Sequence, residues 1–310
     1  MLLLKILMNL MTMSSKKVVF IVGPTAIGKT ALSIKLAQHF NTEIISCDSR
    51  QFYKELLIGS APPSPKELKE VQHHFIHNLS ISQSYNAGKY EIDAINKITE
   101  IHKTNDCVIV VGGSGLYADA ISKGLDKMPE ISEKTRKKLN SDLKERGLEW
   151  LQDKVKNIDP EFYNSCDIKN PQRLLRCLEI FTETGKKLSS FKTKNIKKRP
   201  FDIIKIGLNI DREKLYSRIN KRVDFMMECG LLEEVSSLIE FQSLNSLQTV
   251  GYKEIFSFIN NECTLQEAVE KIKQNTRRFA KRQLTWFKKD KEVNWFEPQE
   301  YDKLKSFIGL

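Results

Sequence analysis

Residues 23–30 read GPTAIGKT and fit the pattern G-x-x-x-x-G-K-[ST] at Gly23, Gly28, Lys29 and Thr30. In such a loop the glycines let backbone N–H groups turn inward to form an anion nest. Lys29 adds a point charge, and Thr30 offers a hydroxyl to Mg²⁺. Pro24, Thr25, Ala26 and Ile27 complete the turn, and the helix that follows adds its positive N-terminal dipole. The loop fits a nucleotide and any other diphosphate equally. Two further stretches carry chemistry: EIISCDSRQFY, with Asp48, and DCVIVVGGSGLY, with Ser114 after two glycines. A P-loop nucleotidase normally ends a second strand in a metal-holding Asp. CVIVV ends instead in Gly112-Gly113-Ser114, without a carboxylate. Asp48 does close a strand, which suits it to be a metal ligand or a base for a second substrate.

The elements that must position these residues follow from hydropathy. KVVFIV, EIIS and CVIVV are short apolar runs bounded by turn residues and separated by amphipathic helical stretches. That alternation predicts a parallel α/β sheet. Ligands of such sheets bind beyond the carboxyl ends of the strands, where the phosphate loop, Asp48 and Gly112-Gly113 all fall. From about Met128 to Arg199 the chain is Lys- and Glu-rich and helical in pattern, with a helix stop at Gly185. FDIIKIGLNI returns to a strand, and after Asp211 the pattern is helical almost to the end. The expected fold is a P-loop α/β core, its parallel sheet flanked by helices, carrying a helical insertion domain. The expected limits are an N-terminal extension at 1–14, core at 15–127, insertion at 128–200 and core again at 201–310.

The chain of 310 residues has a net charge of +11, which points to a polyanionic partner. The basic charge is concentrated in KIKQNTRRFAKRQLTWFKKDK, residues 271–291, which holds nine Lys or Arg and one acid, Asp290. On a helix Arg277, Lys281 and Lys288 align, with Arg278, Arg282 and Lys289 beside them. Ile272, Phe279, Trp286 and Phe287 fall on the other side, so all four are expected in the core. One basic face without interspersed acids predicts a helix tracking a phosphate backbone. The six cysteines form no C-x-x-C pair and no ligand set with His, so free thiols in the cytoplasm are expected, and no zinc site. The apolar N-terminus, MLLLKILMNLMTM, is too short to span a bilayer and lacks a cleavage site, so no membrane association is expected.

Seven separated motifs together resemble the tRNA dimethylallyltransferases (tRNA isopentenyltransferases). They are GPTAIGKT, DSRQFYK (48–54), HHFIHNL (73–79), VVGGSGLY (110–117), NPQRLLRCLEI (170–180), VGYKE (250–254) and TRRFAKRQLTWF (276–287). The resemblance implies transfer of a dimethylallyl group from dimethylallyl diphosphate to N6 of adenosine 37 of tRNA, with a preference for adenosines at 36 and 37. The phosphate loop would then cradle a diphosphate leaving group, with Lys29, Arg222 and Thr30-bound Mg²⁺ holding it and Asp48 as general base. Ser114 stands where the family usually has Thr, keeping the hydroxyl and losing a methyl. The resemblance also places tRNA contacts at Asp48, Ser49, Arg50, Gln51 and Ser114. Others fall at Arg136, Gln172, Arg173, Leu174, Leu175 and Arg176. The C-terminal part supplies Gln248, Gly251, Tyr252, Lys253, Arg277, Lys281, Arg282, Gln283 and Lys288. Gln51 is a candidate for reading the adenine edge. Arg50 departs from the usual small or apolar residue, and GSAPPS at 59–64 departs from the more usual GTAKP. A P-loop kinase or ATPase acting on RNA or a nucleotide is the alternative, and monomer is the default assembly.

Overall fold

The computed structural model describes residues 16–193 and 195–309, so the expected extension at 1–14 lies outside the described residues. Six strands build one sheet: β1 (Lys17–Val22), β2 (Ile44–Ser46), β3 (His73–His74), β4 (Cys107–Gly112), β5 (Asp202–Leu208) and β6 (Val293–Phe296). Their order is β3-β2-β4-β1-β5-β6, and every pairing is parallel. Val19 of the central strand pairs with Ile109 on one side and Ile204 on the other. The chain leaves β1 towards β2 on one side and leaves β4 towards β5 on the other. The carboxyl ends of β1 and β4 therefore bracket a topological switch point, where parallel sheets open a crevice.

The first helices are α1 (Lys29–His39), α2 (Pro65–Glu70), α3 (Ala87–Ile101) and α4 (Gly115–Ser122). Residues Gly124–Lys197 form a second compact unit. It contains α5 (Glu133–Ile158), α6 (Pro160–Ser165), α7 (Pro171–Thr184) and α8 (Leu188–Phe191). α5 is broken at Gly147, where φ is 78°. α7 starts where the Asn170 side chain accepts the backbone N–H groups of Gln172 and Arg173, and it stops at left-handed Gly185. Leu139, Leu151, Val155, Phe162, Leu174 and Ile180 make this unit's core.

The first unit resumes with α9 (Arg212–Glu228), α10 (Leu231–Ser236), α11 (Tyr252–Ile259), α12 (Leu265–Phe287) and α13 (Tyr301–Ile308). Its sheet core joins Val19, Ile21, Ile109 and Ile206 to Leu36 of α1, Ile219 of α9 and Ala280 of α12. A second cluster packs Leu56, Val223, Leu231, Tyr252 and Ile272. The helical expectation after Asp211 is corrected by β6. Four residues are too few to show a strand period, and the segment finds its place by pairing Ile206 with Asn294 and Leu208 with Phe296. Among the described residues no helix is long and apolar enough to cross a membrane.

Candidate active site

The phosphate loop begins as β1 ends. Gly23 has a φ of 144°, and a Cβ there would lie 2.8 Å from the carbonyl oxygen of Leu208. Gly28, φ 105°, turns the chain into α1. Both positions need glycine, one for room beside β5 and both for backbone conformation. Lys29 folds back over the loop, and its Nζ donates to the carbonyl oxygens of Gly23 at 3.0 Å and Pro24 at 2.7 Å. Burial lowers its pKa to about 8, and the neighbouring Asp48 charge resists the fall. Two arginines one turn apart on α9 close the loop from the far side. Arg222 Nη1 donates to Thr25 Oγ1 at 3.2 Å, and Arg218 Nη1 donates to the Ile27 carbonyl oxygen at 3.2 Å. Burial disfavours the Arg222 cation while Asp48 and Glu67 favour it. Arg218 was not anticipated, although its i, i+4 spacing to Arg222 in RINKR was the available signal.

The loop after β2 faces this cradle. Asp48 Oδ1 accepts the Arg50 N–H at 3.0 Å, which holds the carboxylate at the strand end. Ser114 Oγ accepts the Ser49 N–H at 3.1 Å and donates to Ser49 Oγ at 3.2 Å, joining the loops that follow β2 and β4. Gly112 lets those loops approach, since a Cβ there would lie 2.5 Å from Cys47 Sγ. A cavity of about 1820 Å³ brings together Thr25, Lys29, Thr30, Asp48, Ser114 and Arg222. Phe279, Arg282 and Trp286 of α12 also line it. One space thus presents a cationic anion cradle together with a carboxylate and a hydroxyl. That arrangement suits displacement of a diphosphate by a nucleophile that must lose a proton.

A family model described as IPP transferase matches residues 51–290. A tRNA dimethylallyltransferase of Christiangramia forsetii is 53% identical over 289 residues, covering 93% of this chain and 96% of the relative. That of Flavobacterium johnsoniae is 52% identical over 288 residues, covering 91% and 93%. The chain belongs to the tRNA dimethylallyltransferase (IPP transferase) family. Two solved structures extend the likeness to the fold. A full-length tRNA isopentenylpyrophosphate transferase from Bacillus halodurans matches with a TM-score of 0.70 at 36% identity, over 94% of this chain and 95% of that one. A eukaryotic dimethylallyltransferase acting on tRNA matches with a TM-score of 0.76 at 30% identity, over 95% of this chain and 77% of that one. With relatives of this kind, the kinase alternative is set aside in favour of the dimethylallyltransferase family.

Against that family background, the residues expected to meet RNA separate into exposed and buried sets. Lys253, Lys281, Arg282 and Lys288 are exposed on the first unit, and Arg136, Gln172 and Arg173 are exposed on the second. Arg277 is tied down, donating to Asn220 Oδ1 at 2.6 Å. Arg136 and Arg176 pair with Glu179 within the second unit. Leu174, Leu175, Tyr252 and Gln283 form the buried set, and their side chains present little surface to a partner. The two leucines pack the core of the second unit, and the Tyr252 hydroxyl donates to Glu234 Oε1 at 2.6 Å. Gly251 takes a positive φ of 98° at the start of α11, and Gln248 Nε2 donates to the Gln242 carbonyl oxygen at 2.6 Å.

Gln51, expected to read a base edge, has both amide ends engaged by protein. Its Oε1 accepts from Ser46 Oγ at 3.1 Å, and its Nε2 donates to the Ala61 carbonyl oxygen at 3.0 Å. Arg50 clasps the carbonyl oxygens of Asn245 and Ser246, each at 2.9 Å, so the unusual residue braces the loop. Phe279 and Trp286, expected in the core, are 36% and 39% exposed and line the cavity. Trp286 lies over Gly115, where a Cβ would come within 2.3 Å of its ring, and its Nε1–H donates to Asp119 at 3.0 Å.

Proposed function

We propose that this chain transfers the dimethylallyl group of dimethylallyl diphosphate to N6 of adenosine 37 in the tRNA anticodon loop. The observation that carries the reading is the sharing of one cavity by the phosphate loop and Asp48. Lys29, Arg222 and backbone N–H groups of the phosphate loop hold the diphosphate. The adenine amine is a poor nucleophile, its lone pair delocalised into the ring. As N6 bonds to C1 of the dimethylallyl group, the C1–O bond breaks and its electron pair leaves with the diphosphate. Asp48 accepts the N6 proton, and Ser114, bonded to the same loop, orients the acceptor. The exposed cations hold the RNA so that its target base can leave the stack.

Mg²⁺ fits this site in one way. Among the described residues no group of three His, Cys, Asp or Glu could hold a metal by itself. An ion taking one or two protein oxygens, with phosphate and water completing its shell, suits the Thr30 hydroxyl, and the Asp48 carboxylate lines the same cavity. When bound, Mg²⁺ supplies charge neutralisation of the leaving diphosphate. The chain's cysteines are free thiols among the described residues, which suits the cytoplasm.

The test offers purified protein labelled dimethylallyl diphosphate, Mg²⁺ and an unmodified anticodon stem-loop with adenosines at 36 and 37. Label should enter that RNA, and should not enter RNA with guanosine at 37. Absence of label together with RNA-stimulated ATP hydrolysis would overturn the reading.

A further inference from the structure

Gln283 sits in α12, only 5% exposed, at the back of the cavity. Its Oε1 accepts the backbone N–H of Thr25 at 2.9 Å, and its Nε2 donates to the carbonyl oxygen of Gly113 at 2.9 Å. Thr25 belongs to the phosphate loop, and its hydroxyl is the one held by Arg222. Gly113 directly precedes Ser114, which is bonded to Ser49 beside Asp48. One planar amide therefore spans the leaving-group loop and the loops that carry the hydroxyl and the carboxylate.

The span leaves little choice of residue. Glu would set an oxygen against the Gly113 carbonyl, and Asn would fall a methylene short. Met would fill the space without a donor or acceptor. The fit is equally close on the other side, since a Cβ on Gly113 would lie 2.1 Å from Gln283 Nε2. Gly113 has no positive φ, so the need for glycine there is a need for room.

We propose that Gln283 is a positioning residue: its amide sets the separation between the diphosphate loop and the Ser114–Asp48 loops, and so aligns leaving group and base. The proposal rests on the transfer reading above. Displacement by about 1 Å of groups that must be aligned can cost on the order of a hundredfold in rate. A residue that only filled space would instead change stability, leaving turnover of the folded enzyme intact.

The experiment compares the full chain with Gln283→Met, which keeps the volume, Gln283→Ala, Gly113→Ala and the double variant Gln283→Ala/Gly113→Ala. Turnover, KM for the stem-loop, affinity for inorganic diphosphate and melting temperature are measured for each. Gln283→Met should lose about 10- to 100-fold in kcat, with KM for RNA within about twofold. Its diphosphate affinity should weaken about fivefold, because the phosphate loop loses the hydrogen bond that holds Thr25 in place. Gly113→Ala should give the same defect by displacing the amide. In the double variant the methyl enters space that the amide has vacated, so the two losses should not multiply. Wild-type kcat in Gln283→Met, or losses that multiply in the double variant, would overturn the proposal. Wild-type protein without transfer activity would sink the functional reading instead. The diphosphate affinities then decide this proposal alone, and values equal to wild type in Gln283→Met and Gly113→Ala overturn it.

Discussion

At the residue scale, the carboxylate of Asp48 has two effects that one substitution separates. In the proposed transfer it takes the N6 proton, and its charge keeps the buried Lys29 more basic than burial alone would leave it. Asp48→Asn keeps the shape, and its side-chain carbonyl can still accept the Arg50 N–H. The loop should therefore hold, with a melting temperature within a few degrees of wild type, while kcat falls by about 10² to 10⁴. A fall in melting temperature matching the loss of activity would assign Asp48 to the loop alone. The second effect shows in pH dependence. Lys29 is cationic below about 8 and loses its charge as pH rises through that value, so affinity for inorganic diphosphate should weaken there. Without the Asp48 charge the weakening should begin at lower pH, which titration calorimetry over a pH series measures.

The types of these residues were legible in the sequence, because GKT and a strand-end Asp have few other uses. The partners of Gln51, Arg50 and Gln283 were not. An amide offers the same donor and acceptor to a base edge or to two backbone groups, and only the folded distances choose between them.

At the element scale, β6 shows what a pattern of apolar residues cannot carry. Its four residues sit at the sheet edge, and a charge network helps to set them there. Lys205, 7% exposed on β5, donates to Asp290 Oδ2 at 2.8 Å and Glu292 Oε2 at 2.7 Å, in the turn before β6. Lys123, following α4, reaches Asp290 at 3.0 Å and Asp119 at 2.9 Å, and Asp119 also accepts from Trp286. Burial pushes the Asp290 carboxyl up, but Lys205 and Lys123 more than reverse it and bring it down to about 2. A carboxyl depressed in the folded state stabilises the fold above its unfolded pKa, near 3.8. That contribution, about 2 kcal/mol, is lost as pH falls from about 4 to 2. Asp290→Asn should lower stability to urea at pH 7 by a similar amount and make unfolding less sensitive to acid across that window. Equal destabilisation at pH 7 and at pH 2 would remove the network from the account. Sequence showed Asp290 only as the lone acid in a basic run. Its meaning lies in Lys205, 85 residues away in the chain.

At the scale of the whole molecule, the net charge of +11 is a statement about partners, and its distribution turns it into one about geometry. The exposed Lys281 and Arg282 lie on the helix whose buried Gln283 reaches the phosphate loop, and exposed Lys288 caps its end, so the surface that would meet RNA and the cradle share one rigid element. Helical periodicity placed Lys281, Arg282 and Lys288 at exposed positions, but it did not show Arg277 bonded to Asn220, and it misplaced Phe279 and Trp286. It marks a side as apolar, but cannot tell a side that packs from one that lines an open cavity. Replacing Lys281 and Lys288 by Gln removes charge without touching the cavity wall. If each meets a phosphate, RNA binding should weaken, and the slope of log K against log salt should fall by roughly 0.7 to 0.9 for each cation lost. Affinity for inorganic diphosphate should stay within about twofold of wild type, because neither side chain lines the cavity. Binding titrations over a salt series measure both quantities. An unchanged slope would place the RNA path elsewhere on the surface, and the same measurement on Arg173→Gln would then ask whether the exposed end of α7 carries it.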